Sequence, residues 1–89
     1  MKIIKIYYNN DCKFIIDIIN NLDKRVIVEK YNLDIYKEKK KAIPTMTKYG
    51  TKNVPLLVFE DENLKEFATI WSESKPDWNK EIIRLLDLN

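Results

Sequence analysis

The sequence contains no histidine, and this absence removes several kinds of catalytic site. Histidine is the commonest general base and a frequent zinc ligand. Without it, neither a Ser-His-Asp triad nor a Cys-His pair can form. We therefore expect no metal site and no enzyme that depends on a histidine base.

Cysteine and glycine are almost as scarce. Cys12 is the only cysteine, so no disulfide can form within the chain. One glycine and three prolines provide little material for a flexible linker. The 89 residues suffice for one domain and not for two. We expect a single domain over residues 1–89.

Long apolar runs and a strong charge imbalance are also missing. No stretch approaches the roughly 18 apolar residues that cross a bilayer, and the opening residues MKIIK do not resemble a signal peptide. The 16 basic and 14 acidic residues leave a net charge of +2, too small for the electrostatic footprint of a nucleic-acid-binding protein. We expect a cytoplasmic protein that contacts neither a membrane nor a nucleic acid.

The apolar residues that are present alternate between strand-like and helix-like spacing. Strands are predicted over 3–8, 26–33, 55–59 and 64–71, with helices over about 11–22, after Asp34 and after Pro76. The order is βαβαββα, in which the first two strands pair in parallel and the last two form an antiparallel hairpin. This order predicts an α/β fold with strand order 2-1-3-4, a four-stranded mixed sheet and helices on both faces.

The second helix carries three boundary signals. Asp34 can cap its N-terminus. Pro44 is predicted to interrupt the helix or to begin a new short one. Gly50 is typical of a helix C-terminus.

Three segments carry a more specific pattern than the element order. They are residues 6–12 (IYYNNDC), 48–59 (KYGTKNVPLLVF) and 71–77 (WSESKPD). The first resembles the strand and loop before the first cysteine of the Cys-x-x-Cys motif in glutaredoxins. The second is similar to the cis-proline strand of thioredoxins, and the third to the turn into the last helix of small glutaredoxin-like donors to ribonucleotide reductase. The whole chain thus resembles the thioredoxin/glutaredoxin family, as a glutaredoxin-like member with one cysteine and a thioredoxin-like fold.

The resemblance implies a site around Cys12. It makes Cys12 the reactive thiol and the bond between Val54 and Pro55 a cis bond beside that thiol. The backbone of Val54 would then pair with an extended substrate segment. We predict that Lys13, which places a positive charge beside the thiol, and Tyr8, which would flank it, also contact the substrate.

The chemistry of Cys12 depends on its surroundings. In the first turn of a helix, free N–H groups and the helix dipole stabilise a thiolate. Lys13 adds a positive charge, whereas Asp11 opposes it. We expect an exposed thiol with a mildly lowered pKa. The alternative is a buried cysteine that acts as a small apolar residue.

The sequence departs from the family at two places. Ile15 stands where a dithiol member has its second cysteine; in an alternative alignment, Cys12 takes that second position and Asn9 the first. Residues 72–74 (SES) stand where glutaredoxins place the paired glycines that approach glutathione. We therefore expect no cofactor, with glutathione left open as a ligand.

Functions of different classes remain open. The first is a monothiol thiol–disulfide oxidoreductase or thiol carrier in cell redox homeostasis, acting as a monomer on a disulfide-containing protein or a small thiol. The alternative is a redox-inert interaction module that binds a peptide or protein partner beside Pro55. A third function, an iron–sulfur cluster bridged by two chains, is disfavoured by the bulk of Ile15.

Overall fold

The computed structural model describes residues 2–21, 26–71 and 77–86. None of the helices in these ranges is long and apolar enough to cross a membrane. The elements follow the predicted order: β1 (Lys2–Tyr8), a 3₁₀ turn (Asn10–Cys12), α1 (Phe14–Asn20), β2 (Val26–Asn32), α2 (Tyr36–Lys48), β3 (Leu56–Glu60), β4 (Glu66–Trp71) and α3 (Trp78–Leu86).

The four strands form one mixed sheet in the order β2-β1-β3-β4, as predicted. β1 and β2 run in parallel with Lys2 opposite Val26, and α1 connects them. β3 is antiparallel to both β1 and β4. The carboxyl ends of β1 and β2 therefore lie at the same edge of the sheet.

Helices cover both faces of the sheet because side chains along a strand point alternately to the two sides. Ile4 and Ile6 of β1 belong to one core cluster, together with buried residues of α1 and α3. Tyr7 of β1 belongs to a second cluster with Ala42 of α2. α1 and α3 thus pack on one face and α2 on the other, which confirms the predicted layers.

The prediction that Pro44 interrupts the second helix is wrong. α2 runs without a break from Tyr36 to Lys48 and contains Pro44 in its interior. Proline has no N–H to donate to the carbonyl of Lys40 four residues earlier. Because Pro44 lies on the exposed side of α2, water can reach that part of the helix.

Asp34 also does not cap α2 as predicted. The N-cap residue is Ile35, whose side chain makes no capping hydrogen bond. Asp34 Oδ2 instead accepts a hydrogen bond from the Asn10 N–H, at 2.8 Å. This carboxylate therefore binds the loop after β1 rather than the N-terminus of α2.

The predicted helix end at Gly50 is confirmed. Gly50 has a φ of 62°, in the left-handed region that glycine adopts readily. The Gly50 N–H bonds to the carbonyl of Thr47 at 3.1 Å, and the Thr51 N–H bonds to that of Met46 at 3.2 Å. These are the two bonds of a Schellman motif, and they direct the chain from α2 into the segment before Pro55.

Candidate functional site

Cys12 is the last residue of the 3₁₀ turn. The prediction that it lies in the first turn of an α-helix is therefore wrong. Asn9 is the N-cap of this turn, with its side chain accepting a hydrogen bond from the Asp11 N–H at 3.0 Å. α1 begins only at Phe14, two residues after Cys12. The position of the thiol is therefore determined by a short turn whose N-cap is Asn9.

Asn9 surrounds the sulfur of Cys12 with polar atoms. The Asn9 N–H donates to Sγ at 3.2 Å, and the thiol can donate to Asn9 Oδ1 at 3.2 Å or to the Asn9 carbonyl at 3.4 Å. Cys12 is only 6% exposed. The predicted exposed thiol is therefore wrong, because the turn folds Cys12 inward against the protein.

The direction of the predicted pKa shift is also wrong. Burial raises the pKa of the Cys12 thiol above its ordinary value, because the thiolate loses hydration. The hydrogen bond from the Asn9 backbone lowers this pKa, and the negative charge of Asp11 raises it. Desolvation outweighs the stabilisation by N–H groups, so the neutral thiol is favoured.

A polar network joins the loops that follow the two parallel strands. Besides the bond from Asn10 to Asp34, Asn32 Nδ2 donates to Asn10 Oδ1 at 3.1 Å. The Asp34 N–H donates to Asn32 Oδ1 at 2.9 Å. The carboxyl ends of β1 and β2 are thus held together beside the thiol.

A crevice of about 720 Å³ opens between these loops and α2. In open α/β sheets, ligands bind at the carboxyl ends of strands, where connecting helices leave to opposite faces. α1 and α2 pack on opposite faces here, so the crevice has the expected position of a binding site. Its walls come from four separate segments: Asn9, Leu33, Asp34, Lys39, Ile43, Met46, Thr47, Gly50, Thr51 and Lys52.

This crevice could not be predicted from the sequence, because its residues are far apart in the chain. Asn9 is the most important of them, since it contacts both the thiol and the crevice. A signal for Asn9 was present: an asparagine directly after a strand, three residues before the only cysteine. Such a residue is a strong N-cap candidate.

Val54 and Pro55 lie in the loop that leads into β3. The bond between them is cis, as the resemblance implies. Pro55 is buried and Val54 is partly exposed. Within the described part of the chain, the Val54 backbone makes no hydrogen bond. Neither residue lines the crevice, although Thr51 of the same loop does.

The other two predicted contact residues are also outside the crevice. Tyr8 packs against the core cluster between the sheet and α1, and its carbonyl accepts from the Leu33 N–H at 2.7 Å. Lys13 is exposed at the start of α1. The replaced glycine pair at positions 72–74 lies outside the described residues.

No protein-family model matches this chain, and no curated protein matches its sequence. A search of solved structures finds the solution structure of a thioredoxin from Thermus thermophilus. The two chains share 15% identity with a TM-score of 0.56, over 97% of this chain and 71% of that one. This likeness shows that the chain has a thioredoxin-like fold.

Proposed function

We propose that this chain is a thioredoxin-fold binding module, in which Cys12 is a structural thiol and the crevice beside Asn9 holds an extended segment of a partner protein. The observation that carries the proposal is the enclosure of Cys12 by Asn9. Disulfide exchange needs a thiolate that can approach a disulfide. A buried thiol with a raised pKa meets neither condition.

The binding part of the proposal is supported by the surface around the crevice. Extended peptides bind through unpaired backbone groups together with pockets for alternate side chains. Val54 is a partly exposed residue whose backbone has no hydrogen-bond partner in the described residues. The crevice offers apolar side chains of Leu33, Ile43 and Met46. Because Val54 does not line the crevice, these are two separate features, and the apolar lining is the one that supports binding in the crevice itself.

The remaining parts of the proposal follow the sequence. We propose that the chain acts as a monomer in the cytoplasm and that its ligand is a protein segment rather than a cofactor. The lone cysteine has no partner within the chain for a structural disulfide, which agrees with a reducing compartment.

Alkylation of Cys12 tests the structural role of the thiol. With iodoacetamide, we expect the native protein to react about a hundredfold or more slowly than the urea-unfolded protein, because labelling needs local opening of the turn. Equal rates in the two states contradict the proposal. The proposal is also contradicted if the alkylation rate of the native protein rises with pH and its midpoint lies below about 8.5, the pKa of a free thiol.

A second candidate function is the monothiol oxidoreductase or thiol carrier, and one observation favours it. The Asn9 N–H donates to Sγ at 3.2 Å and would stabilise a thiolate formed within the turn. That thiolate would attack one sulfur of a disulfide and form a mixed disulfide, while the other sulfur leaves as a thiolate. A second thiol from another molecule would then release the reduced product. Mass spectrometry after incubation with glutathione disulfide supports this candidate if the wild type, but not Cys12→Ser, gains glutathione.

A further inference from the structure

α2 and the loop after it concentrate the positive charge of the chain. Residues 36–52 hold six lysines and one glutamate, a net charge of +5, whereas the whole chain carries +2. The remainder, with 10 basic and 13 acidic residues, is net negative. Two of these six lysines, Lys39 and Lys52, line the crevice.

Two exposed isoleucines, one at the N-cap of α2 and one within the helix, lie on the same side as Lys39. Ile35, Lys39 and Ile43 are spaced four residues apart, so they share one side of the helix. Ile35 is 49% and Ile43 50% exposed. Ile43 lines the crevice, where Leu33 and Met46 add further aliphatic surface.

Two lysines of the crevice are available for a ligand. Lys39 comes from α2 and Lys52 from the following loop, and neither forms an ion pair within the described ranges. Lys48 of the same region is different, because it pairs with Glu66 at 3.3 Å. The acidic lining residue, Asp34, already accepts a hydrogen bond from Asn10.

We propose that the crevice binds an acidic, extended segment of a partner protein, in which one aliphatic side chain is flanked by aspartate or glutamate. This inference rests on the proposed function and names the partner of the same site. The flanking carboxylates pair with Lys39 and Lys52, and the aliphatic side chain contacts Ile43 and Met46. The apolar lining is aliphatic, and the absence of an aromatic stacking platform among these residues favours a peptide over single-stranded nucleic acid.

Fluorescence anisotropy tests the proposal with a labelled peptide that carries one leucine between pairs of acidic residues in a Gly/Ser background. We expect this peptide to bind, with an affinity that falls as salt is raised, because exposed charges are screened. A peptide with lysine in place of the acidic residues, and one with serine in place of the leucine, should bind at least about fivefold more weakly. Absence of binding by the acidic peptide overturns the proposal.

Variants of the chain distinguish binding through the crevice residues from attraction by the general positive charge of α2. Lys39→Glu, Lys52→Glu and Ile43→Ser should each weaken binding by about fivefold or more. Lys41→Glu is the matched control, because it makes the same charge change on the same helix at an exposed residue outside the crevice. We expect it to stay within about twofold of the wild type. Equal losses for Lys39→Glu and Lys41→Glu overturn the proposal, provided that circular dichroism shows both variants folded.

Other occupants give different results in the same assays. Tighter binding of an oligonucleotide of equal length, or a dimer in sedimentation that Lys39→Glu abolishes, overturns the peptide proposal. Equal binding of the lysine-containing and the acidic peptides also overturns this inference, but it does not contradict the proposal of a peptide-binding module. The proposed function itself fails in another way: no peptide binds, and native Cys12 is alkylated as fast as in the unfolded chain.

Discussion

Asn9 connects the two features of the site at the scale of single residues. It caps the 3₁₀ turn, it surrounds Cys12 Sγ with a donor and two acceptors, and it lines the crevice. A residue with these three contacts couples the thiol environment to the ligand surface. The stability of the turn and the protection of the thiol should therefore change together.

Replacement of Asn9 by alanine tests this coupling. Asn9→Ala removes the cap and should lower the free energy of unfolding by about 1 kcal/mol, while native Cys12 is alkylated faster. Asn9→Ser retains a capping oxygen, so its free energy of unfolding should fall by less than that of Asn9→Ala. Asn20→Ala, at an exposed position at the end of α1, is the control. Urea unfolding and labelling rates measure both effects; loss of stability without faster labelling contradicts the coupling.

The raised pKa of the Cys12 thiol predicts a pH dependence with a definite sign. Below about pH 8.5 the thiol is neutral in both the folded and the unfolded chain. Above that pH the unfolded chain loses its proton first, so the contribution of Cys12 to stability falls as pH rises.

Urea unfolding of the wild type and Cys12→Ser, between about pH 8 and pH 10, measures this contribution. The serine variant lacks the thiol titration and reports the effect of all other groups. We expect the wild type to lose stability more steeply than the variant. A steeper loss for the serine variant would show that the folded chain favours the thiolate.

At the scale of elements, the sequence predicted an element correctly where neighbouring residues determine it. It predicted wrongly where contacts with distant residues determine the structure. The apolar run of β1 and the helical spacing of α3 fixed these elements, and Gly50 ended α2 as predicted. Pro44 misled because tertiary packing of Ala42 and Met46 holds α2 together across the missing hydrogen bond. Asp34 misled because its partner, Asn10, lies 24 residues away.

Replacement of Pro44 tests this account of α2. Pro44→Ala restores an N–H inside an established helix and removes the clash of the proline ring, so the free energy of unfolding should rise by about 1 kcal/mol or more. Thr47→Ala, at another exposed position of α2, is the control for helix propensity alone. Thermal and urea unfolding measure the effect. A destabilised Pro44→Ala variant would mean that α2 requires the proline geometry.

A second contact between elements joins β1 to β3. Lys5 Nζ lies 2.8 Å from Glu60 Oε1, and the Glu60 side chain is only 8% exposed. Lys5→Met would leave this carboxylate buried without its charge partner, at a cost of about 3 kcal/mol. Lys30→Met on the exposed part of β2 is the control. The double variant Lys5→Met with Glu60→Met should recover most of the loss in urea unfolding; no recovery contradicts the account.

At the scale of the whole molecule, the fold was more predictable than the site. The βαβαββα order restricts the sheet to few topologies, and the structure has the predicted one. The crevice brings together Asn9, Asp34, Lys39 and Lys52 from segments that only the folded chain makes adjacent. Burial of Cys12 likewise depends on the turn and its surroundings, so the helix N–H groups, the helix dipole and the neighbouring charges predicted the wrong pKa direction. A thioredoxin-like fold therefore does not by itself make its cysteine a nucleophile.

A titration of Cys12 in the folded protein tests the central claim most directly. Thiolate formation is followed by ultraviolet absorbance, with Cys12→Ser subtracted to remove the signal of the tyrosines. The account predicts a midpoint above about 8.5, the pKa of a free thiol, because burial favours the neutral form. A midpoint below that value would contradict the account and would make Cys12 an activated nucleophile.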